Sequence, residues 1–417
     1  MKLKRIGQGV LAATASLGIT LGVTACSPGA TIDYVFVTSS TPSGQITSYH
    51  VNSQSGTLTK VTGTPVSSQG NNPVYEVTSP NGQYLYVANH DSNNIAVFSI
   101  ATNGELANTH TYSTPGSEPI SMAMNATGTL LFVVDYYAPG FSDTTPGPGA
   151  LVVYPVSSDG SLGSPVTEGS TPYSTLQCFP GGVAVTPNGG YVFVTNTNSV
   201  IVTTAFPTTA TPPATPASCP SQGTVSGYSV SSSGALTPVS GSPFAAGSTP
   251  TGIAIDPTSR FLYATDSAQN QLIVYDILSG GTLNPLTNGP FPTGTFPVSV
   301  VVDPRDQYLY VTNFNASTIS EYTISQATGA PSAGASSTFN TGAPGPTCIT
   351  IEPALARFVY VSNFVDPKIG AAELNPNTGA LSGVQNAPYP ATGKATCVAA
   401  VPHGNHATQF VSATAGS

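Results

Sequence analysis

The chain has 417 residues, with 18 Asp and Glu against 9 Lys and Arg, so that charged residues make up only 6% of it. It contains no Lys/Arg run or basic patch, which excludes nucleic-acid binding as its business. Scarce charge together with 43 Gly and 38 Pro excludes long amphipathic helices and fits many short strands joined by tight turns, that is, an all-β fold.

The N-terminus reads as an export signal. Lys2, Lys4 and Arg5 form a positive n-region, an apolar stretch follows from about Val10 to Val23, and Val23-Thr24-Ala25-Cys26 closes it with small residues before a cysteine. This resembles a bacterial lipobox. The resemblance implies cleavage after residue 25, a lipid anchor at Cys26 and a short linker over 26–31; no cofactor is expected. Ser27, where inner-membrane retention would have Asp, favours the outer membrane if the cell has one. Removing residues 1–25 takes three cations and no anions, leaving a net charge of −12.

From residue 32 the chain repeats. Seven aromatic-rich alternating runs recur: Tyr34 to Thr38, Tyr84 to Asn89, Leu130 to Asp135, Tyr191 to Asn196, Phe261 to Asp266, Tyr308 to Asn313 and Phe358 to Asn363. Their central aromatics, Phe36, Tyr86, Phe132, Phe193, Tyr263, Tyr310 and Tyr360, stand 46 to 70 residues apart, room for four short strands per unit. A Pro-led apolar strand precedes most runs, as in Pro250 to Pro257. A third alternating strand follows, as in Ile95 to Ile100. A Gly-x-Leu element opens the fourth at Leu58, Leu106, Leu162, Leu236 and Leu381. The first unit lacks its Pro-led strand, whereas the C-terminus carries a spare one, Lys394 to Pro402. The pattern predicts a seven-bladed β-propeller over 32–402, four antiparallel strands per blade, with the closing blade built from both termini. Residues 403–417 are a tail, in which Phe410 to Thr414 faintly echoes another second strand.

Tyr310-Val311-Thr312-Asn313 is a literal Tyr-Val-Thr-Asn repeat and Tyr86-Val87-Ala88-Asn89 nearly one. With the circular closure, these make residues 32–402 resemble the lactonase-type propellers, which include 6-phosphogluconolactonases and muconate-cycloisomerase relatives. The resemblance implies a site of His, Arg and Glu on the face bearing the loops between second and third strands. At the places where family members carry His-x-His, Pro-Arg-His and Asn-Glu, this chain reads Glu118-Pro-Ile-Ser121, Phe179-Pro-Gly-Gly182 and Asn196-Thr197. Asp135 survives, followed by Tyr136 and Tyr137 where Leu-Gly is usual. Lactone hydrolysis needs a base for water and a donor for the oxyanion, so the loss points away from catalysis.

The irregular residues expected on the loop face are Asn89, His90, Asp91, Glu118, Asp135, Tyr136, Asp266, Asn313 and Asn363, with His90 the one histidine among them. Asp91, Glu118 and Asp135 are hard oxygen donors of the kind calcium takes, but no Asp-x-Asp-x-Asp-Gly loop accompanies them, and no metal is expected. Asp256, Asp303 and Glu352 sit before a turn that carries Arg260, Arg305 or Arg357, and repetition at one register reads as turn capping. Cys178 precedes the fourth inner strand and Cys219 ends a Pro/Thr-rich insertion, Phe206 to Gln222, in the same blade. Cys348 and Cys397 share a register on neighbouring inner strands. Disulfides Cys178–Cys219 and Cys348–Cys397 are expected. The functional expectation is a monomeric, non-catalytic envelope scaffold that binds a carbohydrate-like ligand or an envelope protein. A periplasmic lactonase and a structural surface propeller are the alternatives.

Overall fold

The computed structural model describes residues 30–40, 43–197 and 219–403. The expected signal peptide, Cys26, most of the Pro/Thr-rich insertion and residues 404–417, with the Phe410 to Thr414 echo, lie outside the described residues. The described chain is all-β and forms seven antiparallel sheets.

Blade 1 combines Lys394–Pro402 as its inner strand with Thr31–Ser40, Gln45–Asn52 and Leu58–Lys60. Thr31–Ser40 pairs antiparallel on both sides, Phe36 opposite Ser48 and Ala399, so the last strand of the chain closes the ring on the first. Blade 2 begins at Pro73–Thr78, blade 3 at Ser117–Met124, blade 4 at Pro180–Val185, blade 5 at Pro250–Ile255, blade 6 at Pro297–Val302 and blade 7 at Pro346–Ile351. Each of these inner strands neighbours the inner strands of the blades on either side, blade 7 meeting blade 1. A continuous wall therefore surrounds a central channel.

Alternation along the second strands produces this architecture. Successive residues point to opposite sheet faces. Both faces of a blade are covered by neighbours, which is why runs such as Tyr84–Asn89 and Phe358–Asn363 are apolar up to their last one or two residues and almost wholly buried. Apolar clusters lie between blades, as where Phe261 and Tyr263 of blade 5 meet Val300, Leu309 and Val311 of blade 6.

Two details depart from the sequence expectation or extend it. In blade 3, Leu162 makes only an isolated bridge with Val156, and the fourth strand is Ser174–Cys178. Prolines 165 and 172 break the intervening chain and delay pairing. Both expected disulfides are present, Cys178–Cys219 tying the insertion to the start of blade 4 and Cys348–Cys397 joining the inner strands of blades 7 and 1 at the ring closure.

Loops between second and third strands share one face with the connections from blade to blade; the tight turns share the other. On that turn face, Asp256 accepts from the backbone N–H of Arg260 (2.6 Å) and Phe261 (2.7 Å), and Glu352 accepts from Arg357 (2.6 Å) and Phe358 (3.3 Å). The arginines pair there too, Arg305 with Asp303 at 2.7 Å and Arg357 with Glu373 at 2.5 Å.

Candidate ligand-binding mouth

The residues closing the second strands on the loop face, Asn89, Asp135, Asp266, Asn313 and Asn363, are fully buried. Their side chains hold down neighbouring backbone. Asn89 Nδ2 donates to the Ser68 carbonyl at 2.9 Å, and Asp135 Oδ2 accepts from the Gly116 N–H at 2.9 Å. Asp266 accepts from Ser248 N (2.9 Å) and Thr249 N (3.0 Å). Asn363, with its amide set to satisfy its surroundings, donates to Thr341 Oγ1 (3.1 Å) and the Ala343 carbonyl (3.0 Å). Asn313 works through Ser320 Oγ (2.9 Å), which accepts from Gly294 N (3.2 Å). These five therefore sit beneath the loop face, sewing each blade to the connection that enters it. Gly116 shows how tight the seam is, since a Cβ there would come 2.7 Å from Asp135 Oδ2.

What the loop face presents is set one step further along. The residue opposite the position just beyond each strand-end residue stands at the top of an inner strand, and the seven equivalents are Lys394, Asn72, Glu118, Phe179, Thr249, Phe296 and Gly345 in blades 1 to 7. They stand around the loop-face end of the channel, with Asn72, Phe179 and Gly345 buried. Asn72 (φ 51°), Glu118 (58°), Phe179 (49°) and Phe296 (59°) are in the left-handed region, an uncommon and costly conformation for such side chains. Glu118 is held there by its N–H, which donates to Asn93 Oδ1 at 2.7 Å, and Phe296 by Asn270 Oδ1 at 2.8 Å.

Of the nine expected residues, the structure brings four together at this mouth: His90, Asp91, Glu118 and Tyr136. His90 Nδ1 lies 2.7 Å from Asp91 Oδ1, and its Nε2 lies 3.6 Å from Glu118 Oε2. The hydrogen bond with His90 draws the Asp91 carboxyl below the usual range. Burial, with repulsion from Asp143 and Asp91, holds Glu118 above it, against the pull of His90. Tyr136 packs edge-on against Tyr137 at 4.9 Å and tilted against Phe179 at 5.5 Å. Burial, then Glu118 and Asp143, push its phenol upward. Tyr137 donates to Asp143 Oδ1 at 3.1 Å, and the Cys178–Cys219 pair packs behind this aromatic group. Asp135, isolated below, is pushed up to about 8 by burial.

Asn72, Asp143, Phe179 and Lys394 belong to the mouth and escape sequence reading. The position before the inner-strand proline was the available signal for Asn72 and Phe179. Lys394 is followed by Ala395, which hides the register. Its ammonium lies 4.9 Å from the Phe364 ring centre, on the side of the mouth formed by blades 7 and 1. Among the described residues no group of three or more His, Cys, Asp and Glu is arranged to hold a metal ion.

A closed ring of seven four-stranded antiparallel blades defines a seven-bladed β-propeller. The chain belongs to the lactonase family of seven-bladed β-propellers, whose family model matches residues 32–197 and 222–351. No curated protein sequence matches it significantly. Among solved structures it resembles the periplasmic gluconolactonase of Pseudomonas aeruginosa, with a TM-score of 0.69 and 17% identity over 89% of this chain and 99% of that one. It also resembles a provisionally assigned 6-phosphogluconolactonase of Bacteroides uniformis, with a TM-score of 0.68 and 16% identity over 89% of this chain and 100% of that one. At such identities the likeness establishes the fold.

Proposed function

We propose that the protein is an exported propeller, anchored in the cell envelope through lipidated Cys26, whose mouth binds a small carbohydrate-like ligand without hydrolysing it. The observation that carries this reading is the position of His90, with a carboxylate facing each ring nitrogen, at 2.7 and 3.6 Å. An imidazole so enclosed is poorly placed to take a proton from water. An oxyanion would also need a cation or donors. Arg260, Arg305 and Arg357 are all committed to the turn face, and Lys394 rests on Phe364.

Export is supported by the two disulfides, which persist in oxidising compartments. Acyl chains on Cys26 would contribute roughly 0.8 kcal/mol per buried methylene, enough in combination for durable anchoring in an outer membrane. A monomer fits the ring, whose seven blades are all completed within one chain. The test is calorimetric titration with sugars and sugar acids alongside a gluconolactone hydrolysis assay. Saturable binding with no enzyme-dependent hydrolysis is expected.

One observation favours a second reading. Asp91 Oδ1 at 2.7 Å from His90 Nδ1 is how a carboxylate orients an imidazole base. Lactone hydrolysis above background that disappears in His90→Asn would establish that reading over the first.

A further inference from the structure

We infer that the turn face of the propeller is apposed to the headgroup layer of the membrane that holds Cys26, and that the ligand mouth opens toward the aqueous phase on the far side. This rests on the reading of Cys26 as the lipid anchor. The orientation follows from where the chain enters the fold. The carbonyl of Ala30 accepts from the Ser53 N–H at 3.0 Å, which fixes Ala30 beside the turn from Asn52 to Gly56, between the third and fourth strands of blade 1. Thr31–Ser40 then runs from the turn face to the loop face, Thr31 opposite Asn52 and Ser39 opposite Gln45. The strand that completes this blade ends at the same face, where the His403 N–H donates to the Ile32 carbonyl at 2.7 Å.

Two lengths decide which face meets the membrane. Cys26 stands four residues before Ala30, and four residues reach at most roughly 14 Å. Thr31–Ser40 has 10 residues, and at about 3.3 Å per residue such a strand covers roughly 30 Å. The tether is therefore about half the height of the blade it enters. Acyl chains hold the cysteine at the bilayer surface, so the turn-face rim of blade 1 stays within reach of the headgroups while Asn72, Glu118 and Phe179 stand about a blade's height further out. With the loop face down, Ala30 would lie about twice as far from the bilayer as the tether allows. The tether, not charge, sets this arrangement: Arg260, Arg305 and Arg357 on the turn face are each paired with a carboxylate, which leaves anionic lipid no cluster of unpaired arginines to attract it. The ligand accordingly reaches the mouth through water and is not a lipid of the anchoring leaflet.

The experiment uses the full lipidated chain in phosphatidylethanolamine–phosphatidylglycerol vesicles that carry a gadolinium-chelating lipid, with a nitroxide on one introduced cysteine. Gln54→Cys and Asn103→Cys report from the turn face, Ala268→Cys and Asn315→Cys from the loop face, and all four positions are exposed. Relaxation of the nitroxide by the lipid-bound gadolinium should be several-fold stronger at the two turn-face positions. Inserting about twenty Gly and Ser residues after Ser27, a coil of roughly 25 Å, should shrink that difference. Equal relaxation at the two faces, or stronger relaxation at the loop face, in protein held on the vesicles overturns the orientation and leaves the lipid-anchor reading standing. Protein that carries no acyl chain and stays off the vesicles overturns both.

Discussion

Tyr310 donates its phenolic hydrogen to the carbonyl of Gly379 at 2.7 Å, across the boundary between blades 6 and 7. The same bond joins Tyr86 to Gly160 (3.0 Å), Tyr263 to Gly329 (3.0 Å) and Tyr360 to Gly56 (2.7 Å). The central aromatic of one blade thus reaches the turn before the fourth strand of the next. Glycine is needed there because φ is +72° at Gly379 and a Cβ would come 2.2 Å from the Tyr308 ring. The Gly-x-Leu signature and the aromatic run are two halves of one contact between blades.

Tyr310→Phe removes the donor and leaves a buried carbonyl unsatisfied, which should cost about 1–2 kcal/mol. The fold should survive, since Phe36, Phe132 and Phe193 hold this register in blades 1, 3 and 4 and are fully buried. Urea unfolding is the measurement. A midpoint unchanged from wild type would mean that the bond contributes nothing net.

The Cys348–Cys397 disulfide joins residues 49 apart in sequence and ties Lys394–Pro402, the strand that closes the ring by pairing with Thr31–Ser40, to the inner strand of blade 7. A loop of that length gives a chain-entropy estimate of about 4 kcal/mol. Cys348→Ser with Cys397→Ser should therefore lower the thermal transition substantially. Amide exchange should rise first along Thr31–Ser40 and Lys394–Pro402. Uniform exchange around the ring would argue against the seam as the weak point.

The seam was legible because its strands carry their own signals: an inner strand missing at residue 32 and a spare apolar one over 394–402 that ends, like other inner strands, at a proline. The disulfide register was legible for the same reason, since Cys348 and Cys397 fall at one place in a strict repeat. The strand-end residues were not. Asn89 and Asp135 are polar, irregular and next to loops, features that a ligand face also has, and only the fold shows the blade connection lying over them. Lys394 was hidden because Ala395 stands where other blades have proline, so the mark of the mouth position is absent in the blade assembled from two ends.

Asp135 occupies a register that holds Asn in blades 2, 4, 6 and 7, and burial pushes its carboxyl up to about 8. Glu321 is raised to about 7 and Asp306 to about 6, burial being the main cause in each case. All three bind their proton more tightly folded than unfolded, so stability declines as pH rises from the unfolded carboxyl range through these values. The thermal transition should be highest in mild acid and fall by several degrees between pH 5 and pH 9. Asp135→Asn, which places the amide of the other blades there, should flatten the upper part of that fall. A wild-type transition constant over pH 5–9 would show these carboxyls to be ordinary.

Glu118 is held left-handed at φ 58°, whereas its equivalent in blade 7 is Gly345 at φ 75°. A left-handed conformation costs a side-chain-bearing residue roughly 1–2 kcal/mol. Glycine escapes that cost but loses more chain entropy on folding, about 0.5–1 kcal/mol. Glu118→Gly should therefore come out about 0.5–1 kcal/mol more stable than Glu118→Ala, the two differing only in the Cβ. Neither keeps the carboxylate, so both should lose ligand affinity alike. Equal stability of the two variants in urea would mean that the backbone at Glu118 is unstrained. A stability gap with binding equally lost would show that the protein tolerates strain at this position to keep an acid at the channel mouth.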